Sequence, residues 1–203
     1  AASDVYKRQL SDYPLISSDR GMDHGMFSEL VRDIERFLKS DCELGQGSYG
    51  ITYKVEYDGN IYCMKEILQY DDEAIKKAKH EFEANRYVYN LISDKGIIHI
   101  RIPIMKELIV NPGNKLILLI QEFIKGYEVR YFNICKKGVV GFRNSEDSTY
   151  HNLAIGLLEC VKIFKQNRVA HNDIHQSNIM VDNNGNGYLI DYGLFVYNTE
   201  FIR

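Results

Sequence analysis

Apolar residues recur at helical spacing between positions 23 and 39: Met26, Phe27, Leu30, Val31, Ile34, Phe37 and Leu38. This i, i+3, i+4, i+7 pattern predicts an amphipathic helix, with Asp23 placed to cap its start. Packing on the domain that follows is the simpler use of such a face; docking a partner is the alternative. The pattern then changes period. Cys42 to Leu44 leads into a glycine-rich loop, and the runs Ile51–Tyr57 and Ile61–Ile67 are rich in β-branched and aromatic residues around Asp58-Gly59-Asn60, a hairpin signal. Residues 73–92 form the longest predicted helix. Ile100–Val110 and Leu116–Phe123 read as a second hairpin around Asn111-Pro112-Gly113-Asn114. Residues 150–167 return to helical spacing, with Leu153, Leu157, Leu158, Val161, Ile163 and Phe164 as the apolar positions. Ile179–Val181 and Tyr188–Ile190 are short strands about the turn at 183–187. A sheet with one helix comes first and a mostly helical half second, an α+β, two-lobed layout.

Composition narrows the class. With 45% hydrophobic and 26% charged residues, a chain of 203 residues has enough apolar material for a sizeable core, which excludes wholesale disorder. Lys plus Arg number 25 against 28 Asp plus Glu, so the basic excess of a nucleic-acid binder is missing. Apolar runs such as Leu116–Ile120 are too short to span a bilayer. Cys42, Cys63, Cys135 and Cys160 are widely separated, with no CxxC pair, and read as reduced thiols of a cytoplasmic protein, with a secreted effector as the alternative.

Chemistry enters with four motifs. Gly45-Gln46-Gly47-Ser48-Tyr49-Gly50 is a GxGxxG followed by a strand-like run and not by a helix, so it is a strand–loop–strand whose glycines let backbone close over phosphates. By itself a ligand-free glycine hairpin explains it equally well. Lys65 lies on the second strand, where alternation groups it with Ile61, Cys63 and Ile67 and places Tyr62, Met64 and Glu66 opposite. On a core-facing row a lysine needs a carboxylate or phosphate partner; a surface lysine that snorkels is the competing reading. His171-Asn172-Asp173-Ile174-His175-Gln176-Ser177-Asn178 has the form HxDxxxxN, and Asp191-Tyr192-Gly193 begins eighteen residues after Asp173. Asn178 and Asp191 offer the hard oxygens that Mg²⁺ prefers, and Asp173 is left to orient and deprotonate a hydroxyl. Each motif alone is weak; the set in this order is specific.

Over residues 41 to about 196 the sequence resembles the protein-kinase superfamily. The resemblance implies ATP and Mg²⁺ as cofactors, with Gly45 to Gly50 covering the phosphates, Lys65 gripping the α- and β-phosphates, Asp173 as catalytic-loop aspartate, and Asn178 and Asp191 as metal ligands. Leu118–Gly126 resembles the hinge between lobes: Gln121 would be the gatekeeper, backbone groups of Glu122 and Ile124 would bond adenine, and Val55 and Cys63 would wall the adenine pocket. The glutamate that partners Lys65 should lie on helix 73–92. Glu81 meets four of five flanking apolar positions and Glu83 two, so Glu81 is preferred.

Two residues depart from the family pattern. Asn172 stands where regulated kinases carry an arginine that clamps a phosphorylated loop. His175 stands where Ser/Thr kinases carry a lysine that contacts the γ-phosphate, and the form HNDxHxxN resembles aminoglycoside and choline kinases. The implied activity is transfer of the ATP γ-phosphoryl to a hydroxyl, with Ser/Thr of a protein as the preferred acceptor, a small molecule second, and a pseudokinase binding module last, since Lys65, Asp173 and Asp191 are all kept. The implied layout is an N-terminal tail at 1–22, the amphipathic helix at 23–40, an N-lobe at 41–120, a hinge at 121–127 and a partial C-lobe at 128–203. Ala1 to Gln9 resembles a translated adapter sequence. With the ending ten residues past Gly193, this makes a fragment the expectation, and a naturally minimal kinase the alternative.

Overall fold

The computed structural model describes residues 16–18, 43–47, 49–57, 59–131 and 146–197. The expected helix at 23–39, together with Cys42, Ser48 and Cys135, lies outside the described residues. The chain divides into two units: residues 1–78 with 105–123, and residues 79–104 with 124–203.

The first unit is one six-stranded sheet. Strands β1 (Ile16–Ser18), β2 (Glu43–Gln46), β3 (Gly50–Tyr57), β4 (Asn60–Ile67), β6 (Met105–Asn111) and β7 (Leu116–Glu122) run in the order β1-β3-β4-β7-β6, and β2 also pairs β3. β1 lies parallel to β3 along Val55–Tyr57, while β2 lies antiparallel along Ile51–Tyr53. The β3–β4 hairpin turns at Gly59, whose φ of 69° is the left-handed conformation that glycine adopts without a Cβ penalty. Its closing pair, Tyr57 opposite Asn60, sets the register of the whole hairpin. Tyr53, Val55, Tyr57, Met64, Leu116, Leu118 and Ile120 form the buried cluster of this sheet.

That cluster takes one row of β4, which carries Met64 with Tyr62 packed against it, and Lys65 lies on the opposite row with Cys63. The opposite row is covered as well: Lys54, Ile117 and Leu119, which flank it on the neighbouring strands, are all buried, so Lys65 does lie on a packed face.

In the second unit, helix α1 (Asp72–Ser93), which begins in the first, supplies Ala84, Val88 and Ile92 to a larger core. Helix α2 (Glu146–Gln166) adds Leu153, Cys160, Ile163 and Phe164. These fall at helical spacing on one side. Leu158 and Val161, read as part of the same face, are exposed, because they lie around the helix from the Leu153–Cys160–Phe164 stripe. A four-stranded sheet, β5 (Ile100–Arg101), β11 (Gly187–Leu189), β10 (Ile179–Asp182) and β8 (Gly126–Glu128), packs on α2 at close range. A Cβ on Gly156 would sit 2.6 Å from Ile100 Cγ1, so glycine is what lets helix and strand approach. β9 (Val169–Ala170) and β12 (Val196–Tyr197) pair separately.

The expected strand Ile100–Val110 is two strands in two sheets. β5 joins β11 and β6 joins β7, with Ile102 to Ile104 as a link. Pro103 has no N–H to give a ladder, and its carbonyl is taken by the Asn85 amide at 2.9 Å. Among the described residues no helix is long and apolar enough to cross a membrane.

Candidate active site

The glycine loop joins β2 to β3. Gly47 N–H donates to the Gly50 carbonyl at 2.9 Å, which curls the loop back on itself, and Tyr49 at its tip is 75% exposed. Gly50 is where the loop meets the sheet: a Cβ there would lie 2.3 Å from the Glu66 backbone oxygen. Gly47 has nothing nearer than 4.0 Å, so its glycine is not demanded by local packing.

Register places the residues of β3 and β4 by face. Lys65 lies opposite Thr52 on β3 and Leu119 on β7; Cys63 lies opposite Lys54 and Gln121. Burial pushes the Cys63 thiol up to about 11, against the hydrogen bond from Gln121 and the charge of Lys65. Val55 lies opposite Tyr62 and belongs to the buried cluster. Val55 and Cys63 therefore fall on opposite faces, and the expectation that both wall one pocket is corrected. Thr52 takes the place beside Lys65. Hairpin arithmetic would have found it: once Tyr57 faces Asn60, each step back along β3 matches one step forward along β4. The same face carries Lys54, a buried lysine missed by motif reading, with its ammonium 5.4 Å from the Phe123 ring centroid. Glu122 is exposed at the end of β7, and the Ile124 carbonyl accepts from Gly126 N–H at 3.1 Å.

The second unit gathers the carboxylates. Asn178 is buried, and its Nδ2 donates to the Asp173 carbonyl at 3.0 Å and to Asp173 Oδ2 at 2.8 Å. The side-chain amide thus closes the loop at 173–178 and orients the carboxylate. His175 Nε2 stands 3.5 Å from Asp173 Oδ1, while its Nδ1 accepts Ser177 N–H at 3.2 Å. That acceptor role puts the proton of the neutral ring on Nε2, facing Asp173. Asp191 has φ 63° and its Oδ1 accepts Gly193 N–H at 3.2 Å, a bond that turns the backbone sharply within the Asp-Tyr-Gly step. Asn172 has φ 61°, a conformation that asparagine tolerates better than most residues.

His171 joins the two loops. Its Nε2 donates to the Ile190 carbonyl at 3.2 Å, its Nδ1 accepts Asp173 N–H at 3.3 Å, and its ring meets Tyr192 edge-on at 4.9 Å. Burial holds its pKa below the ordinary value, although the Ile190 carbonyl, Asp191 and Asp173 favour the charge. Sequence reading named His171 only as a letter of the motif. Its role as a neutral bridge depends on burial. Glu81 is buried and Glu83 exposed. A Cβ on Gly193 would lie 3.3 Å from Asp191 Oδ1 and 3.7 Å from Glu81 Oε2, which puts the Glu81 carboxylate at the Asp-Tyr-Gly turn. Glu128, unnoticed in the sequence, is partly buried; burial raises its pKa while Arg130, with Nε at 2.5 Å, and His175 lower it.

The donor set fits a magnesium–nucleotide site better than a closed protein cage. Among the described residues no three His, Cys, Asp or Glu side chains converge. Mg²⁺ takes one or two protein oxygens and fills the rest with water and phosphate. Asp191 is exposed, and Asn178 commits its nitrogen to Asp173, so the amide oxygen is the atom it could offer a metal.

The Protein kinase domain model matches residues 38–199. The chain is 25% identical over 158 residues to the probable LRR receptor-like serine/threonine-protein kinase IRK of Arabidopsis thaliana, covering 77% of this chain and 15% of that protein. It is 26% identical over 170 residues to the probable serine/threonine-protein kinase mkcF of Dictyostelium discoideum (80% and 21%). It is 22% identical over 160 residues to the tyrosine-protein kinase JAK1 of Danio rerio (79% and 13%). The chain spans under a quarter of each of these relatives. With a β-rich first unit, a helix-bearing second unit and a family match over most of its length, the chain belongs to the protein kinase domain family.

Proposed function

We propose that this chain transfers the γ-phosphoryl group of ATP to a hydroxyl, with Ser or Thr of a protein as the acceptor. The observation that carries the reading is the Asp173 carboxylate, held at Oδ2 by Asn178 and faced at Oδ1 by His175, in a loop tied through His171 to the Ile190 carbonyl just before Asp191. Asp173 orients the acceptor hydroxyl and takes its proton. Lys65 binds phosphate oxygens, the glycine loop covers them, and backbone groups of Glu122 and Ile124 hold adenine. Asn178 and Asp191 would hold Mg²⁺, which when bound neutralises charge on the phosphates. Catalysis of this kind rests on positioning and electrostatics, with little covalent help asked of the protein. Two of the relatives above are named as serine/threonine kinases, which favours that acceptor. A small-molecule acceptor is the second reading, favoured by His175 at the Asp173 carboxylate and by Asn172.

The test is a transfer assay with [γ-³²P]ATP and Mg²⁺ on generic protein substrates, aminoglycosides and choline in parallel. Label on Ser/Thr that disappears in Lys65→Ala, Asp173→Ala and Asp191→Ala, each still folded by circular dichroism, supports the reading. Label on choline or an aminoglycoside alone transfers it to the second reading, and wild-type turnover in Asp173→Ala overturns the assignment of the base.

A further inference from the structure

Helix α1 presents His80, Glu83 and Tyr87 along one stripe, at i, i+3 and i+7. That stripe meets the segment after the Asp-Tyr-Gly turn. His80 Nε2 lies 2.6 Å from the Phe195 carbonyl oxygen. A carbonyl only accepts, so Nε2 carries the proton in this contact. Rings close around the bond. His80 and Tyr197 meet edge-on at 5.9 Å, Tyr87 and Tyr197 at 5.5 Å, and Phe195 and Tyr197 at 5.0 Å. Phe195 is buried and also packs edge-on against Phe164 at 6.2 Å. On its other side the segment pairs with β9, Val196 opposite Ala170 and Tyr197 opposite Val169, directly before the catalytic loop.

The catalytic loop, the metal-loop segment and α1 are thus fastened together at Phe195–Tyr197. On the α1 side the fastening uses the His80 bond and aromatic edges. Glu81 follows His80 directly, about 100° around the helix axis. Whatever fixes the azimuth of His80 therefore fixes that of Glu81, whose carboxylate stands at Gly193.

We propose that His80 is a positioning residue: its bond to the Phe195 carbonyl, backed by Tyr87 and Tyr197, locks the rotation of α1 and so holds Glu81 at the Asp-Tyr-Gly turn without a phosphorylated side chain. The catalytic consequence rests on the kinase reading above; the structural one does not.

The experiment compares the full chain with His80→Leu, His80→Gln and Tyr197→Ala. Amide hydrogen exchange by mass spectrometry follows residues 79–92, and steady-state transfer gives kcat and KM for ATP. Leucine fills the space and removes the donor, whereas glutamine keeps a nitrogen donor. His80→Leu and Tyr197→Ala are expected to exchange about five- to tenfold faster in this helix, on the scale of one lost hydrogen bond or aromatic pair. Exchange in the β3–β4 hairpin should stay unchanged. kcat should fall by a similar factor with KM for ATP altered less than twofold, and His80→Gln should restore both. Wild-type protection in His80→Leu, or equal loss in the leucine and glutamine variants, overturns the proposal. If no variant nor the wild type transfers phosphate, yet His80→Leu and Tyr197→Ala loosen the helix and His80→Gln restores it, the lock stands and the kinase reading falls. If transfer proceeds and His80→Leu changes neither readout, the lock alone falls.

Discussion

Two glycines of one loop should fail for different reasons. At Gly50 a methyl group would meet the Glu66 carbonyl oxygen at 2.3 Å and its carbon at 3.3 Å. Neither atom can swing aside, because both are backbone in a paired strand. Restoring an ordinary contact means opening that end of the β3–β4 ladder by about 1 Å. This strains the Gly50–Ile67 and Ile51–Glu66 pairs and the Leu68 N–H to Tyr49 carbonyl bond. Overpacking costs about 1–3 kcal/mol and a lost hydrogen bond about 0.5–1.5 kcal/mol. Gly50→Ala should therefore lose about 2–4 kcal/mol, which for a chain of this size lowers the melting temperature by about 5–15 °C. At Gly47 the same methyl meets nothing closer than 4.0 Å and the backbone is not left-handed, so Gly47→Ala should melt within about 2 °C of wild type. If the loop closes over phosphates, Gly47→Ala should still weaken ATP binding, since a side chain there intrudes on the ligand's space. Differential scanning fluorimetry, with and without Mg-ATP, measures both. A Gly50→Ala protein with wild-type melting would refute the close approach, and a Gly47→Ala protein with wild-type ATP affinity would remove the phosphate role from this glycine.

The corrected face of β3 predicts that Thr52→Phe blocks nucleotide binding with little change in melting. Val55→Ala should do the reverse, losing about 2 kcal/mol of stability with binding kept, as a titration of each with ATP would show. Because His171 is buried neutral with its pKa depressed, its contribution to stability is complete above the unfolded value near 6.5 and is lost as pH falls from there toward the folded pKa. Melting temperature should accordingly drop as pH falls below about 6.5, and His171→Gln should flatten that slope; Glu66 and Glu128, whose pKa values are raised by burial, act in the opposite sense at lower pH. An unchanged slope in His171→Gln would mean that other groups carry the acid sensitivity. Asn172→Arg should cost about 1 kcal/mol through its left-handed backbone. Phosphatase treatment should leave the activity of the wild type intact; a large loss would point to a phosphate clamp built from other residues.

The family of this chain was legible in its sequence because each motif is local. The glycine loop, Lys65, HxDxxxxN and Asp-Tyr-Gly are runs of neighbouring residues, and strand or helix period is a property of the same runs. The turn at Gly59 even carried the register of its hairpin, so the pairing of Thr52 with Lys65 was implicit in the letters. What the sequence could not rank was burial. Alternation separates the two rows of β4 but does not show that both are covered, Met64 beside Tyr53 and Lys65 beside Leu119. Leu158 and Val161 look like core until α2 is turned against β5 and β9. Pro103 marks a break, but only two separate sheets explain where each half of the expected strand goes. His171 becomes a neutral bridge, and His80 meets a carbonyl, across separations of 19 and 115 residues. Such contacts depend on how distant segments pack, and periodicity within one segment carries no information about them.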